Sequence, residues 1–256
     1  MFTQKPLCLL NLTSLDIQGF LHNNAFMELE IHEYQSSILR ELLFKPKAKF
    51  SDLNKKDISS DLFTFHLNKL VKDGLVVKES GAYTLSTEGK EFANRMDTDS
   101  LRQEKQGKIA VALHAIRKRN GKTEMLVHQR LKEPFYGWYG SHTGKIRWGE
   151  NPLEAAKREF LEETGLTGDF VHKGITHIFH VHKDGRFLED KYFWVYRIEN
   201  VKGELKEEIE EGKNIWMDEK KFRKLKNTFA NYDEIVEVID SKKLVYLERK
   251  WIVDSY

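Results

Sequence analysis

Apolar residues recur with helical spacing at Ile31, Tyr34, Ile38 and Leu42, so the stretch from Ile31 to Phe44 predicts an amphipathic helix that Pro46 closes. Phe50 to Asn54 predicts a short second helix. Ser59 or Ser60 caps a third, SDLFTFHLNKLVKDG, which stops at Gly74. The period then drops to that of strands. LVVKE and AYTLS flank the turn Ser80-Gly81 and predict a hairpin, and a helix follows from Thr87 to Met96. Thr98 to Gly107 is polar, lacks periodicity and predicts a linker.

The pattern beyond the linker mixes strands and helices. KIAVALHAI predicts a buried strand, Asn120-Gly121 a hairpin turn, and EMLVHQR the returning strand. Asn151 is a good N-cap, Pro152 suits the first helical position, and Glu154 supplies the acid of a capping box. Leu153, Ala156 and Phe160 mark the face of that helix expected to be buried, and Gly165 ends it. THIFHVH and KYFWVYRIEN predict strands around the turn Asp184-Gly185, and Lys206 to Gly212 a charged loop before Ile215-Trp216. Asp218 to Leu225 and Tyr232 to Ile239 predict helices, and Leu244 to Ile252 a terminal strand or helix. The division that follows is an extension (1–26), a small domain (27–97), the linker (98–107) and a larger domain (108–256).

Composition adds constraints rather than identity. The 256 residues suffice for two domains, and 42 basic against 40 acidic residues give a net charge of +2, which implies no global polyelectrolyte role. Cys8 is the only cysteine, which excludes an internal disulfide and fits a reducing, cytoplasmic location. No apolar run approaches membrane length, so no membrane partner is expected. Within residues 1–26 the apolar patch Leu7 to Leu10 is soon interrupted by Asn11 and Asp16, a poor signal peptide, and Met27 stands as an alternative start.

The candidate chemistry lies in GKIRWGENPLEAAKREFLEETGL, residues 144–166. Glu159, Glu162 and Glu163 fall at i, i+3 and i+4, so their carboxylates project from one side of the helix. Such a cluster is either a solvated face balanced by Lys157 and Arg158 or a site for a hard cation completed by substrate phosphates. The full spacing favours the second. Gly144 is followed after five residues by Glu150, and after seven more by Arg158-Glu159, then by Glu162-Glu163, Gly165 and Leu166. This resembles a complete Nudix box. The resemblance implies an α/β/α sandwich and hydrolysis of a nucleoside diphosphate linked to another group, using Mg²⁺ or Mn²⁺. Carried over, Glu162 and Glu163 bind metal, Glu159 is a ligand or the base, Gly144 offers its carbonyl, Arg158 orients the glutamates, and Glu150 is a further contact. Nudix sequences often place Pro-Gly before the box glycine; His142-Thr143 stands there instead. They often supply one more acidic ligand from the region after the box, where Glu211 is the first candidate and Glu208 the second.

Phe135, Tyr136, Trp138 and Tyr139 crowd the approach to the box. Two of the four are expected in the core, and Tyr136 and Trp138 are the candidates to stack on a base or sugar of a nucleotide-derived substrate. His177, His180 and His182 raise a zinc site, which no cysteine or Glu-x-x-His context supports, so satisfied or surface histidines are the expected reading.

In the N-terminal part, the order helix, helix, helix, hairpin, helix resembles a winged helix-turn-helix domain. The resemblance implies double-stranded DNA as a partner, with Thr64, His66 and Lys69 on the third helix and Lys78 in the wing as contacts. Residues 27–97 carry eleven Lys/Arg against twelve Asp/Glu, so there is no basic footprint, and useful affinity would require a homodimer on two half-sites. The alternative is a winged-helix fold used for dimerisation or docking. The expected whole is therefore an α+β protein, a winged helix followed by a Nudix sandwich. Its function is then a metal-dependent hydrolase or a regulator that senses a nucleotide metabolite.

Overall fold

The computed structural model describes residues 31–54, 58–101 and 105–254. The extension 1–26 and Met27 lie outside the described residues. The chain divides into two compact units between Glu104 and Lys105.

The first unit contains α1 (Glu33–Phe44), β1 (Ala48–Lys49), α2 (Phe50–Leu53), α3 (Ser60–Lys72), β2 (Val76–Glu79), β3 (Ala82–Leu85) and α4 (Thr87–Asn94). Each longer helix begins at a side-chain cap: His32 in a capping box with Gln35, Ser59 accepting from the Leu62 N–H, Ser86 accepting from the Gly89 N–H. The hairpin β2-β3 follows the alternating pattern, and the two-residue β1, which no periodicity announces, pairs with β3 to make a sheet of order β1-β3-β2. Ile38, Leu39, Leu42, Phe63, Leu67, Leu70 and Leu85 meet in one buried core.

The second unit is built on a mixed sheet of order β10-β11-β5-β4-β9-β8-β12, with β6 and β7 paired to β5 and β4. The strands are β4 (Lys108–Arg119), β5 (Lys122–Arg130), β6 (Tyr139–Gly140), β7 (His142–Lys145), β8 (Leu166–His182), β9 (Phe187–Gly203), β10 (Glu208–Ile209), β11 (Gly212–Asp218) and β12 (Val245–Val253). The helices are α5 (Pro152–Thr164), α6 (Glu219–Phe222) and α7 (Tyr232–Ile239). Alternation along the strands decides what each face holds. Val111, Leu113, Tyr196 and Ile198 pack with Ala155, Ala156 and Phe160 of α5. Ala112, Val127 and Val195 point the other way and pack with Ile235, Val238 and Ile239 of α7. α5 therefore covers one face, and α7 with Phe222 of α6 covers the other.

Four expectations change. β8 and β9 each run 17 residues and form one long antiparallel hairpin, well beyond the two short apolar runs. Lys206 to Gly212 is not wholly loop, because Glu208-Ile209 pairs back on β11. The helix foreseen from Asp218 to Leu225 is the four-residue α6. Leu153 is exposed, since it lies in the first turn of α5, where the small Ala155 and Ala156 make the sheet contact instead.

Candidate functional site

α5 starts and stops where local chemistry dictates. Asn151 accepts from the Glu154 N–H at 3.0 Å and Glu154 answers at the Asn151 N–H, and Pro152 leads the helix. Gly165 closes it with φ +74°, a conformation that favours glycine. Ala155, Ala156 and Phe160 turn to the sheet, which leaves Glu159, Glu162 and Glu163 off the core face.

Arg158 gathers this set. Its Nε and Nη2 donate to the two oxygens of Glu150 at 2.7 and 2.8 Å. Its Nη1 donates to Glu159 at 2.7 Å and to Glu162 at 3.3 Å, and its Nη2 also reaches the carbonyl of Lys145 at 3.1 Å. This fork lowers the Glu150 carboxyl below its usual range, and the paired carboxylates hold Arg158 even more firmly protonated. Gly144 lies against Glu159 so closely that a Cβ there would sit 2.0 Å from the glutamate's Cγ. Gly144, Glu150, Arg158, Glu159 and Glu162 are therefore brought together.

Glu163 faces a different environment. It lines a cavity of about 260 Å³ together with Glu211. Burial, then the negative charges of Glu159 and Glu211, push its carboxyl up to about 8. Glu211 pairs with Lys132, whereas Glu208 is bonded to Lys213 at 2.6 Å and does not line the cavity. Of the two acidic candidates, the cavity holds the first.

Among the described residues, no group of three acidic or histidine side chains is close enough to hold an ion in this arrangement. The cause is local, because Arg158 engages Glu159 and Glu162, and Lys132 engages Glu211. The donor set nevertheless fits a divalent cation. It is all oxygen, and Lys132, the positive charge that acts on Glu163, is itself paired with Glu211. The three histidines each have a carboxylate of their own: His177 has Asp190 and Glu248, His180 has Glu189, and His182 has Asp184.

Asn214, which no sequence pattern singles out, ties the site together. Its Oδ1 accepts from the buried His142 at 2.8 Å and stands 3.1 Å from the Nδ1 of His128. Its Nδ2 donates to the carbonyls of Glu163 and Lys206 at 2.9 and 2.7 Å. The end of α5 is thus pinned to the strand that carries Gly144. His142, standing where Pro is frequent, is the anchor of that clamp.

The cavity wall differs from the expected one. Phe135 and Phe229 line it, with ring centroids 5.3 Å apart. Tyr136 is 60% exposed outside it, and Trp138 packs behind, 5.1 Å from Phe135 and 5.3 Å from Phe229. Phe135 takes φ +67°, a strained conformation for a bulky residue that its ring packing maintains. Farther along the wall, the buried Glu189 meets Lys191 at 2.5 Å and His180 at 3.2 Å. Burial opposes its ionisation, yet these two partners hold its carboxyl at about 2. His114, buried and hydrogen-bonded to Ser141 at 2.9 Å, has its pKa lowered to about 4 by burial.

In the first unit, His66 is 6% exposed and stacks on His32 at 4.5 Å. It packs inside the unit and does not offer its ring to a base edge, which corrects its assignment as a DNA contact. Thr64 and Lys78 are exposed, and Lys69 is half-exposed and paired with Asp73 at 3.3 Å. Leu62 and Phe65 share the outer face of α3, Phe65 at 62% exposure.

The second unit thus sets a carboxylate-lined helix end on a mixed sheet beside an aromatic cavity. The family model described as the NUDIX domain matches residues 108–238, and the chain belongs to the Nudix family, as a pyrophosphohydrolase acting on phosphorus-containing anhydrides. Solved structures similar to this chain include a MutT protein from Bacillus halodurans (24% identity, 58% of this chain and 93% of that one, TM-score 0.48). The NUDIX domain of Shewanella oneidensis NrtR complexed with ADP ribose matches at 17% identity, over 59% and 95%, with TM-score 0.46. A MutT protein from Methanosarcina mazei Go1 matches at 22% identity, over 54% and 96%, with TM-score 0.43.

Proposed function

We propose that the chain hydrolyses the pyrophosphate bond of a nucleoside diphosphate linked to another group, with Mg²⁺ or Mn²⁺ held by Glu159, Glu162, Glu163, Glu211 and the Gly144 carbonyl. The observation that carries this reading is Glu163, which lines the cavity beside Glu211 where the charged side of α5 meets it and whose carboxyl is pushed up by burial and by the charges of Glu159 and Glu211. When bound, the metal supplies Lewis-acid chemistry at the phosphate oxygens. Arg158, anchored by Glu150, aims Glu159 and Glu162. Glu159 accepts the proton of the attacking water. Phe135 and Phe229 receive the nucleoside, and Asn214 keeps the end of α5 in register with Gly144. Mg²⁺-dependent product release is measured across ADP-ribose, nucleotide sugars, dinucleoside polyphosphates and oxidised nucleoside triphosphates. Turnover of at least one class is expected, and no turnover of any would sink the reading.

A second reading adds to the first: the N-terminal unit is a winged helix that binds double-stranded DNA, and the Nudix unit senses a nucleotide. It is favoured by the position of α3 directly before the hairpin β2-β3. Thr64, Lys69 and Lys78 are its contacts. Lys69→Glu with Lys78→Glu should weaken binding across all sequences and flatten its salt dependence. Absence of binding by the folded wild type at low salt leaves docking through the face that carries Leu62 and Phe65.

A further inference from the structure

Among the described residues, β12 is an edge of the sheet. Its partner among the described residues is β8, in parallel register from Val245↔Gly174 to Val253↔His182. The strand contains neither proline nor glycine, and its burial alternates strictly. Tyr246, Glu248, Lys250 and Ile252 stand exposed on one face, Tyr246 at 60% and Ile252 at 70%. Leu247, Arg249 and Trp251 point to the opposite face, where they line the cavity. A regular edge of this length with large apolar groups invites a further strand.

The order of the exposed side chains selects that strand. Tyr246, Glu248, Lys250 and Ile252 are complementary to themselves when read backwards. We propose that β12 pairs antiparallel with β12 of a second copy of this chain, about a two-fold axis at Arg249 perpendicular to the sheet. Glu248 then lies opposite the second copy's Lys250, and Tyr246 opposite its Ile252, each pair occurring twice as the symmetry requires. On the cavity face, Leu247 meets Trp251. The two Arg249 side chains meet at the axis, each already within 4.0 Å of Glu234 and 3.7 Å of Glu237 on its own α7.

Other registers are worse. An axis at Glu248 or at Lys250 likewise sets one pair of like charges opposite each other, but it forms neither Glu248–Lys250 pair. The Arg249 axis forms two, and its arginines have Glu234 and Glu237 beside them. An axis at Trp251 sets Glu248 against Asp254, and one at Leu247 sets Lys250 against Leu244 and shortens the overlap. Within its own chain, Glu248 uses Oε2 for both His177 and Tyr246, so Oε1 is left for the second copy's lysine. The charges thus block indiscriminate edge pairing and admit one partner.

Sedimentation equilibrium on the full chain at micromolar concentration tests this. The wild type should be dimeric. Glu248→Lys alone and Lys250→Glu alone each oppose like charges twice and should weaken the dimer at least about tenfold. Mixed in equal amounts, the two variants restore both ion pairs and should form a heterodimer. Ile252→Asp, at a position 70% exposed, should weaken the dimer as well while the unit stays folded. Circular dichroism confirms the fold of each variant. A monomeric wild type, single variants that dimerise like the wild type, or a mixture that stays monomeric overturns the proposal.

Discussion

Arg158 shows how one side chain organises several carboxylates at once. Its fork spends two hydrogen bonds on Glu150, one each on Glu159 and Glu162, and one on the backbone beside Gly144. A lysine has neither the planar fork nor enough reach to replace these bonds together. His114 illustrates the opposite case, a titratable group kept neutral by burial. The unfolded chain binds its proton near pH 6.5, whereas the folded chain resists down to about 4. Between those values the unfolded state holds more protons, so stability falls as pH drops through this window and is intact above it. The contribution is about 2 kcal/mol between pH 6.5 and 5. His114→Gln keeps a partner for Ser141 and removes the titration. Its melting temperature should fall less steeply with acid than that of the wild type, and parallel slopes would contradict the assignment.

At the scale of elements, the helix α5 was readable from sequence because its signals are local. The N-cap Asn151, the capping box with Glu154, Pro152 and Gly165 all act within one turn of an end. The clamp at its far end was not readable. Asn214 sits on β11 and draws on residues of β5, β7 and α5 that only folding brings near. A lone asparagine in a strand carries no spacing to betray this. Phe229 entered the cavity unannounced for the same reason, while Tyr136 and Trp138 drew attention by proximity in sequence alone. The lengths of β8 and β9 were hidden because polar residues interrupt the apolar runs, and the ladder is sustained by the partner strand. Asn214→Ala leaves the Glu163 and Lys206 carbonyls and the His142 N–H without partners, at a cost of about 2–3 kcal/mol. It should also lower kcat more than it raises KM, because the carboxylates and Gly144 lose their common reference. Wild-type kcat in a destabilised but folded variant would limit Asn214 to a structural role.

At the scale of the molecule, the carboxylates, the cavity and both packed faces of the sheet belong to the second unit. A fragment beginning at Gly107 should therefore fold and retain hydrolytic activity. An insoluble or inactive fragment would argue for a shared core or a composite site. The mixed α and β composition of the second unit was legible through the resemblance carried by residues 144–166, and the split between Glu104 and Lys105 falls within the polar stretch 98–107. The cavity's substrate did not, since its walls come from distant segments.

The central claim is that the α5 carboxylates act through a bound divalent cation at Glu163. Its most direct test is the Mg²⁺-dependent turnover rate of Glu163→Gln, measured beside the wild type on whichever nucleotide substrate the screen identifies. Circular dichroism verifies the fold of both proteins. The substitution keeps the shape and removes a charge that burial already disfavours, so the fold should stand while the rate falls at least about 100-fold. A folded Glu163→Gln protein that turns over at nearly the wild-type rate would contradict the account.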